Sequence, residues 1–499
     1  MDIDEIALGP YRPDLVIGLV VPVGTPIPGV RDSLARALKS YGYEPHLVKL
    51  SRLLESRAPD FNITVPREPE NERIEALMNV GDALCSSACS AAAVLWEAVA
   101  EIGLQRAILR DDERRAEGTP VSRAWVLESL KRPEEVAQLR RIYGDHAIIL
   151  AVTANVETRT KTLAASIAPR RPAKTDEDTS ALISQLVARD KDDPENLTDG
   201  FGQNILKTFP LADCFIDCDS DVRHQVDRLV DLLFASPRAE TPTIDEYGMY
   251  VANATGSLSP ELGLKVGAAI LRERSIVATG MNSHPLLNDL SPAYDRSKLD
   301  IARLALDSLR RLDKHGLLTP NARAELEANP DEFVSGLLKG ALKGSQIASL
   351  TEFQVPVHAE MSALLDALSQ SKPVSGAKLY VTAYPCHNCA KHLLRAGLSG
   401  LYIEPYPKSR AEAMYGHDAR DAFRPYIGVA PSQYLRMYGP HGDRMGREGQ
   451  WLPWDEEQRF SAEPVVAVID PLLIRANEDD AAGQRAGMPG ETKCQTNDV

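Results

Sequence analysis

The chain has 499 residues, of which 43% are hydrophobic and 25% charged, with a formal net charge of -15. That length exceeds a single ordinary core and points to two domains or three. The acidic balance disfavours stable nucleic-acid binding, which rests on Lys and Arg neutralising phosphates, whereas a free nucleotide needs only a few cations.

Residues 1–10 are acidic and lack a basic stretch followed by an apolar run, so no secretory leader is expected. No run of roughly 18 apolar residues occurs, so no membrane span is expected. The seven cysteines are odd in number and thinly spread, which fits a reducing cytoplasm better than a disulfide framework. The expected location is cytoplasmic.

Residues 14–23 form a Val- and Ile-rich run that predicts a strand, and 24–29 a Pro/Gly loop. A helix over 30–41 and a strand over 45–50 would complete a βαβ opening. Residues 73–102 read as one long Ala-rich helix, 132–143 as a charged helix and 146–153 as a third strand. This alternation over about 230 residues predicts a doubly wound α/β domain. A helix at 221–234 precedes a polar linker with two prolines at 235–245, which places a domain boundary there: 1–238 and 239–474. The second domain reads as α/β again, with a strand pair at 267–271 and 276–279 and a helical, charged insertion at 286–350. After it come a helix at 358–368, a strand at 378–382, a helix at 386–396 and a strand at 401–404. Residues 475–499 are polar and Gly-rich, and a disordered tail is expected.

The chemistry concentrates in two short motifs. Pro356-Val-His-Ala-Glu360 is followed by Pro385-Cys-His-Asn-Cys389, the H-x-E and P-C-x-x-C pair of zinc nucleobase deaminases. Cys386 and Cys389 lie three apart at the start of a predicted helix, which puts both sulfurs on one face and favours their thiolates. His358 supplies a nitrogen ligand from the start of the neighbouring helix. Three protein ligands to Zn2+ leave the fourth tetrahedral position open, as in a catalytic rather than a structural site. Glu360, two residues after the histidine, is the candidate proton carrier. His387, inside the C-x-x-C, is expected to face solvent or to support a ligand. As a fourth ligand it would close the site.

Gly267-Ala-Ala-Ile-Leu271 and Ile276-Val-Ala-Thr-Gly-Met-Asn282 read as a hairpin ending in a turn. With the two zinc motifs, this hairpin resembles the deoxycytidylate deaminase branch of the cytidine deaminase-like superfamily. Segments at 403–408 and 423–434, and in the first half at 123–143 and 202–217, resemble the bacterial antiviral dCTP deaminases. In that group an N-terminal P-loop-kinase-like domain is fused to a C-terminal three-layer α/β/α deaminase domain. The resemblance implies that Asn282 contacts the sugar or base, and that the backbone around Ala359 and Tyr384 frames the pyrimidine. Lys408, with Arg410 and Arg424, is a candidate phosphate contact. The implied reaction is deamination of a free deoxycytidine nucleotide, dCTP foremost, in antiphage defence, and a homo-oligomer is the expected assembly. Competing readings are a housekeeping dCMP deaminase, a polynucleotide cytosine or adenine deaminase, and a nucleotide sensor. The fused first half speaks against the first of these, and the acidic balance with 6% aromatic residues against the second. Intact Glu360 speaks against the third.

The loop after the first predicted strand sits where a Walker A loop would, yet residues 18–30 contain no lysine, and their prolines remove N–H donors. Phosphoryl transfer is not expected, and a structural or ligand-binding role is. Cys85 with Cys89, and Cys214 with Cys218, lack histidines at ligand spacing and read as small buried hydrophobes.

Overall fold

The computed structural model describes residues 12–115, 121–167, 176–191, 201–285, 296–343, 345–406, 410–439, 454–466 and 471–486. The chain divides into two compact units, one formed by Met1–Thr241 with Ile427–Val499, the other by Pro242–Tyr426. The second unit is thus an insertion in the first. The expected boundary near 239 is close to the division, but the chain returns to the first unit at 427, well before 474.

In the first unit, β1 (Leu15–Val20), β2 (Tyr43–Lys49), β3 (Ser122–Leu130), β4 (Ala147–Thr153) and β5 (Cys214–Asp217) form a parallel sheet in the order β5-β4-β1-β3-β2. Gly428–Val429 adds an antiparallel edge beside β5. A parallel sheet needs both faces covered, and β1 is accordingly buried along its whole length. Leu15, Ile17 and Leu19 pack with α1 (Pro28–Ser40), while Gly18, on the opposite face, lies against Leu130 and Ile149 and against Leu139 from a helix on that side. A Cβ at Gly18 would overlap the Leu130 side chain.

Three sequence expectations change here. The helix expected over 73–102 is two, α2 (Glu70–Ser87) and α3 (Ala93–Arg115), broken where Cys89 takes a left-handed φ of 51°. Strand β3, which precedes α4 (Pro133–Tyr143), was not read from the sequence because Arg123 and Glu128 interrupt its apolar run. Both are buried and held by ion pairs, Arg123 with Glu113 and Glu128 with Arg31. The segment expected as a disordered tail forms, as far as Ala486, a helix, Pro471–Ala486, lying against α3. Its Glu478 accepts from Arg106 at 2.6 Å, and Arg106 also donates to Asp14 at 2.8 Å. α5 (Val222–Leu233) packs beside α1 to complete its side of the sheet.

The second unit holds β6 (Gly267–Arg272), β7 (Ser275–Met281), β8 (Lys378–Val381), β9 (Ser399–Tyr402) and β10 (Phe423–Pro425), in the order β10-β9-β8-β6-β7. β7, β6 and β8 pair antiparallel, and β8, β9 and β10 parallel. α6 (Ile244–Gly256) begins with a capping box: Thr243 Oγ1 accepts from Glu246 N at 3.1 Å, and Glu246 accepts from Thr243 N at 2.8 Å. This helix covers one face, where its Gly248 leaves room for the ring of Tyr380. Leu379 and Val381 alternate to the other face and join Ala268 and Ile270 against α7 (Ala359–Ser369) and α8 (His387–Arg395). The result is three layers. Within the expected insertion, helices Arg296–Lys314, Pro320–Ala328 and Pro330–Lys339 are described, while 286–295 lie outside the described residues. No helix among the described residues is long and apolar enough to cross a membrane.

Candidate active site

α7 and α8 lie on the same face of the second sheet, and their N-termini bring the two motifs together. His358 is the N-cap of α7 and Cys386 the N-cap of α8. Cys386 Sγ lies 3.3 Å from His358 Nδ1, and Cys389 Sγ lies 3.5 Å from the same nitrogen. The three donor atoms fall within 4.8 Å of one another, and no other such metal-binding group occurs among the described residues. Cys389 N donates to Cys386 Sγ at 3.4 Å, as the first turn of α8 requires. Hydrogen bonds from Cys389 and His358 bring the Cys386 thiol down to about 4. Its bond with Cys386 lifts the His358 imidazole to about 9. Cys389 is pushed up by its own hydrogen bond to Cys386 and by burial. Two sulfurs and one imidazole nitrogen are a donor set suited to zinc.

Glu360 sits in the first turn of α7 and is only 4% exposed. Burial, followed by the negative charge of Cys386, raises its carboxyl to about 7. His358, Ala359, Glu360, Tyr384, Cys386 and Asn282 all line one cavity of about 680 Å³, a size suited to a nucleotide-sized ligand. His387 is buried, and its Nε2 lies 3.3 Å from Glu352, so it stands beside the cluster rather than in it.

Asn282 is placed on the cavity wall, but its amide is already engaged. Oδ1 accepts from Val266 N at 2.8 Å, and Nδ2 donates to Leu264 O at 2.8 Å. It thereby clamps residues 264–266, themselves part of the lining. Tyr384 stacks edge-on against Tyr402, and its hydroxyl is buried without a hydrogen-bond partner among the described residues. Lys408 lies outside the described residues, and Arg424 is exposed on β10 and does not line the cavity.

Among the lining residues not read from the sequence, three are polar: Glu261, Thr351 and Gln354. Gln354 Oε1 lies 3.4 Å from His358 Nε2, and Thr351 Oγ1 is buried without a partner among the described residues. The only advance signal was the spacing of Gln354 four residues before His358. Of the paired cysteines, Cys85 and Cys214 are buried as expected, Cys218 is half-buried with its Sγ 3.1 Å from Pro26 O, and Cys89, against expectation, is exposed at the helix break and disulfide-bonded.

Residues 242–404 match the family model described as the cytidine and deoxycytidylate deaminase zinc-binding region. That match covers β6 to β9 of the second unit's sheet and both zinc motifs but not the rest of the chain, and zinc is the metal of the matched region. The deoxycytidylate deaminase of Enterobacteria phage T4 is 29% identical over 151 residues, which cover 29% of this chain and 70% of that protein. ComE operon protein 2 of Bacillus subtilis (strain 168) is 44% identical over 46 residues, 9% of this chain and 24% of that protein. Among solved structures, the dCMP deaminase of the cyanophage S-TIM5 in apo form is similar at 18% identity. That likeness covers 37% of this chain and 99% of that one, with a TM-score of 0.23.

Proposed function

We propose that the second unit hydrolytically deaminates a free deoxycytidine nucleotide, that dCTP is the phosphate form it acts on, and that loss of dCTP starves phage replication. The observation that carries the reaction is the buried Glu360 carboxyl, raised to about 7, in the cavity that His358 and Cys386 line, both of them members of the cluster that Cys389 completes. Those three residues would hold the zinc. When bound, zinc supplies Lewis acidity that makes hydroxide available near neutral pH. Glu360 is poised near neutrality to accept a proton from the attacking water. The water oxygen bonds to ring C4 while Glu360 delivers protons to ring N3 and then to the amino group; the C4–N bond breaks, ammonia leaves, and the oxygen stays on the ring as the carbonyl. Ala359 and Tyr384 frame the pyrimidine, and the unpartnered hydroxyls of Tyr384 and Thr351 are available to it. Asn282 holds the wall at 264–266 in place. Lys408, with Arg410, is the proposed phosphate contact.

The first unit is read as a P-loop-kinase-like scaffold without phosphoryl transfer. In that reading the loop after β1 corresponds to a phosphate cradle, and the loss of transfer is supported by Val23 N, which already donates to the Asp190 carboxylate at 2.8 Å.

The test is to incubate the zinc-loaded full chain with dCMP, dCDP, dCTP, CTP and a cytosine-containing oligonucleotide, and to follow products chromatographically. We expect dCTP to yield a deoxyuridine nucleotide and ammonia, and Glu360→Ala to abolish it. Turnover of dCMP alone would overturn the dCTP assignment, and turnover of the oligonucleotide alone would overturn the free-nucleotide reading. Activity surviving in Glu360→Ala would overturn the mechanism. In cells, an unchanged dCTP pool after phage challenge with the wild-type protein would remove the defence role.

A further inference from the structure

The loop that follows β1 borders a second cavity, of about 250 Å³, lying wholly within the first unit. One side is apolar, formed by Leu54, Leu77 and Met78 among others, and the other carries Thr25, Lys131 and Gln203. Thr25 Oγ1 and Gln203 Oε1 are buried without a hydrogen-bond partner among the described residues, and each residue is only 8% exposed. Polar atoms left unpaired in an interior carry a desolvation penalty, so a pair of them facing one cavity calls for a ligand that supplies the missing bonds.

The charges around the cavity limit what that ligand can be. Lys131 Nζ donates to Asp190 Oδ1 and to Val21 O, each at 2.6 Å. Arg132 donates to Asp82 at 2.6 Å and to Glu135 at 3.4 Å, and Arg73 to Glu55 at 2.6 Å. Every cation lining the cavity among the described residues is thus neutralised by a carboxylate of the chain itself. A phosphate would have to break those pairs, whereas an uncharged ligand leaves them intact.

We infer that this cavity binds an uncharged, planar amino-heterocycle of the nucleobase class, one with an exocyclic amine beside a ring nitrogen. Adenine and cytosine share that edge. The Gln203 carboxamide matches it, with Oε1 accepting from the amine and the amide NH₂ donating to the ring nitrogen, the bidentate geometry by which Gln reads adenine. The ring lies between the apolar side chains, and Thr25 Oγ1 supplies a further polar contact. This site is separate from the deaminase cavity and does not depend on the function proposed for it.

Isothermal titration calorimetry of the zinc-loaded full chain with adenosine and, separately, with deoxycytidine tests the inference. The variants are Gln203→Leu and Gln203→Glu, each checked by thermal melting. The expected result is that one or both nucleosides bind the wild type at a site that both Gln203 substitutions weaken by about tenfold or more. Adenosine alone binding in this way identifies an adenine site, and deoxycytidine alone a cytosine site. If neither nucleoside binds, or if binding is indifferent to both Gln203 substitutions, the inference is overturned. Should the Gln203 variants fail to fold, Thr25→Val is held to the same criterion.

Discussion

His358 Nε2 lies 3.4 Å from Gln354 Oε1, while Nδ1 of the same ring faces the sulfurs of Cys386 and Cys389 at 3.3 and 3.5 Å. A proton on Nε2 donated to the amide oxygen leaves the Nδ1 lone pair directed at the two sulfurs, so Gln354 selects the tautomer that can bind metal. Gln354→Ala should lower zinc affinity by roughly 10- to 100-fold, as read by competition with a chromophoric chelator. Unchanged affinity would mean that the ring is oriented by its other neighbours.

Asn282 separates two roles that sequence cannot distinguish. Because both ends of its amide are bonded to residues 264–266, Asn282→Leu should strip two backbone partners and destabilise the unit by about 1–3 kcal/mol, raising KM as the cavity wall loosens. Thermal melting and steady-state kinetics together check this. A variant with an unchanged melting temperature and a raised KM would instead make Asn282 a direct substrate contact.

Gly280 lies where β7 meets α7, and a Cβ there would overlap Ala363 N and Ala359 O. Neither atom can yield without moving the helix that carries Glu360. Gly280→Ala should therefore lower the melting temperature and turnover together, and circular dichroism with an activity assay would show both. Loss of activity at full stability would contradict the backbone origin of the effect.

Arg106 joins Asp14, beside β1, to Glu478 in the C-terminal helix, and all three are at most 8% exposed. Arg106→Met leaves two carboxylates buried together and should cost about 3–5 kcal/mol, because breaking a buried pair is far more damaging than removing it whole. Denaturant unfolding measures this. Glu478→Gln, which retains an acceptor for Arg106, should cost less, and equal losses would show that packing rather than charge holds the helix.

The zinc motifs were legible in the sequence because metal binding imposes local spacing: the cysteines stand three positions apart at a helix start, and the glutamate two positions after the histidine. The supporting residues were not. Gln354 and Thr351 belong to the stretch just after the helical insertion, and only the fold brings them to the cavity. Strand β3 was hidden for a related reason. Its Arg123 and Glu128 look like solvated charges until their partners, Glu113 and Arg31, arrive from elsewhere in the chain. The C-terminal helix was concealed by polar composition, since part of its attachment to α3 is ionic: Arg485 bonds Glu97 at 2.8 Å.

The insertion of Pro242–Tyr426 into the first unit bears on how the protein is made. During synthesis the ribosome delivers the five parallel strands first and the whole second unit next. The residues that pair with β5 and the helix that meets Arg106 come last. The nascent first unit must wait through the emergence of the intervening unit with the β5 edge and Arg106 still uncovered. A polypeptide stopped at residue 241 would keep that unfinished state permanently, so the first unit is completed only on a chain that has already made the second.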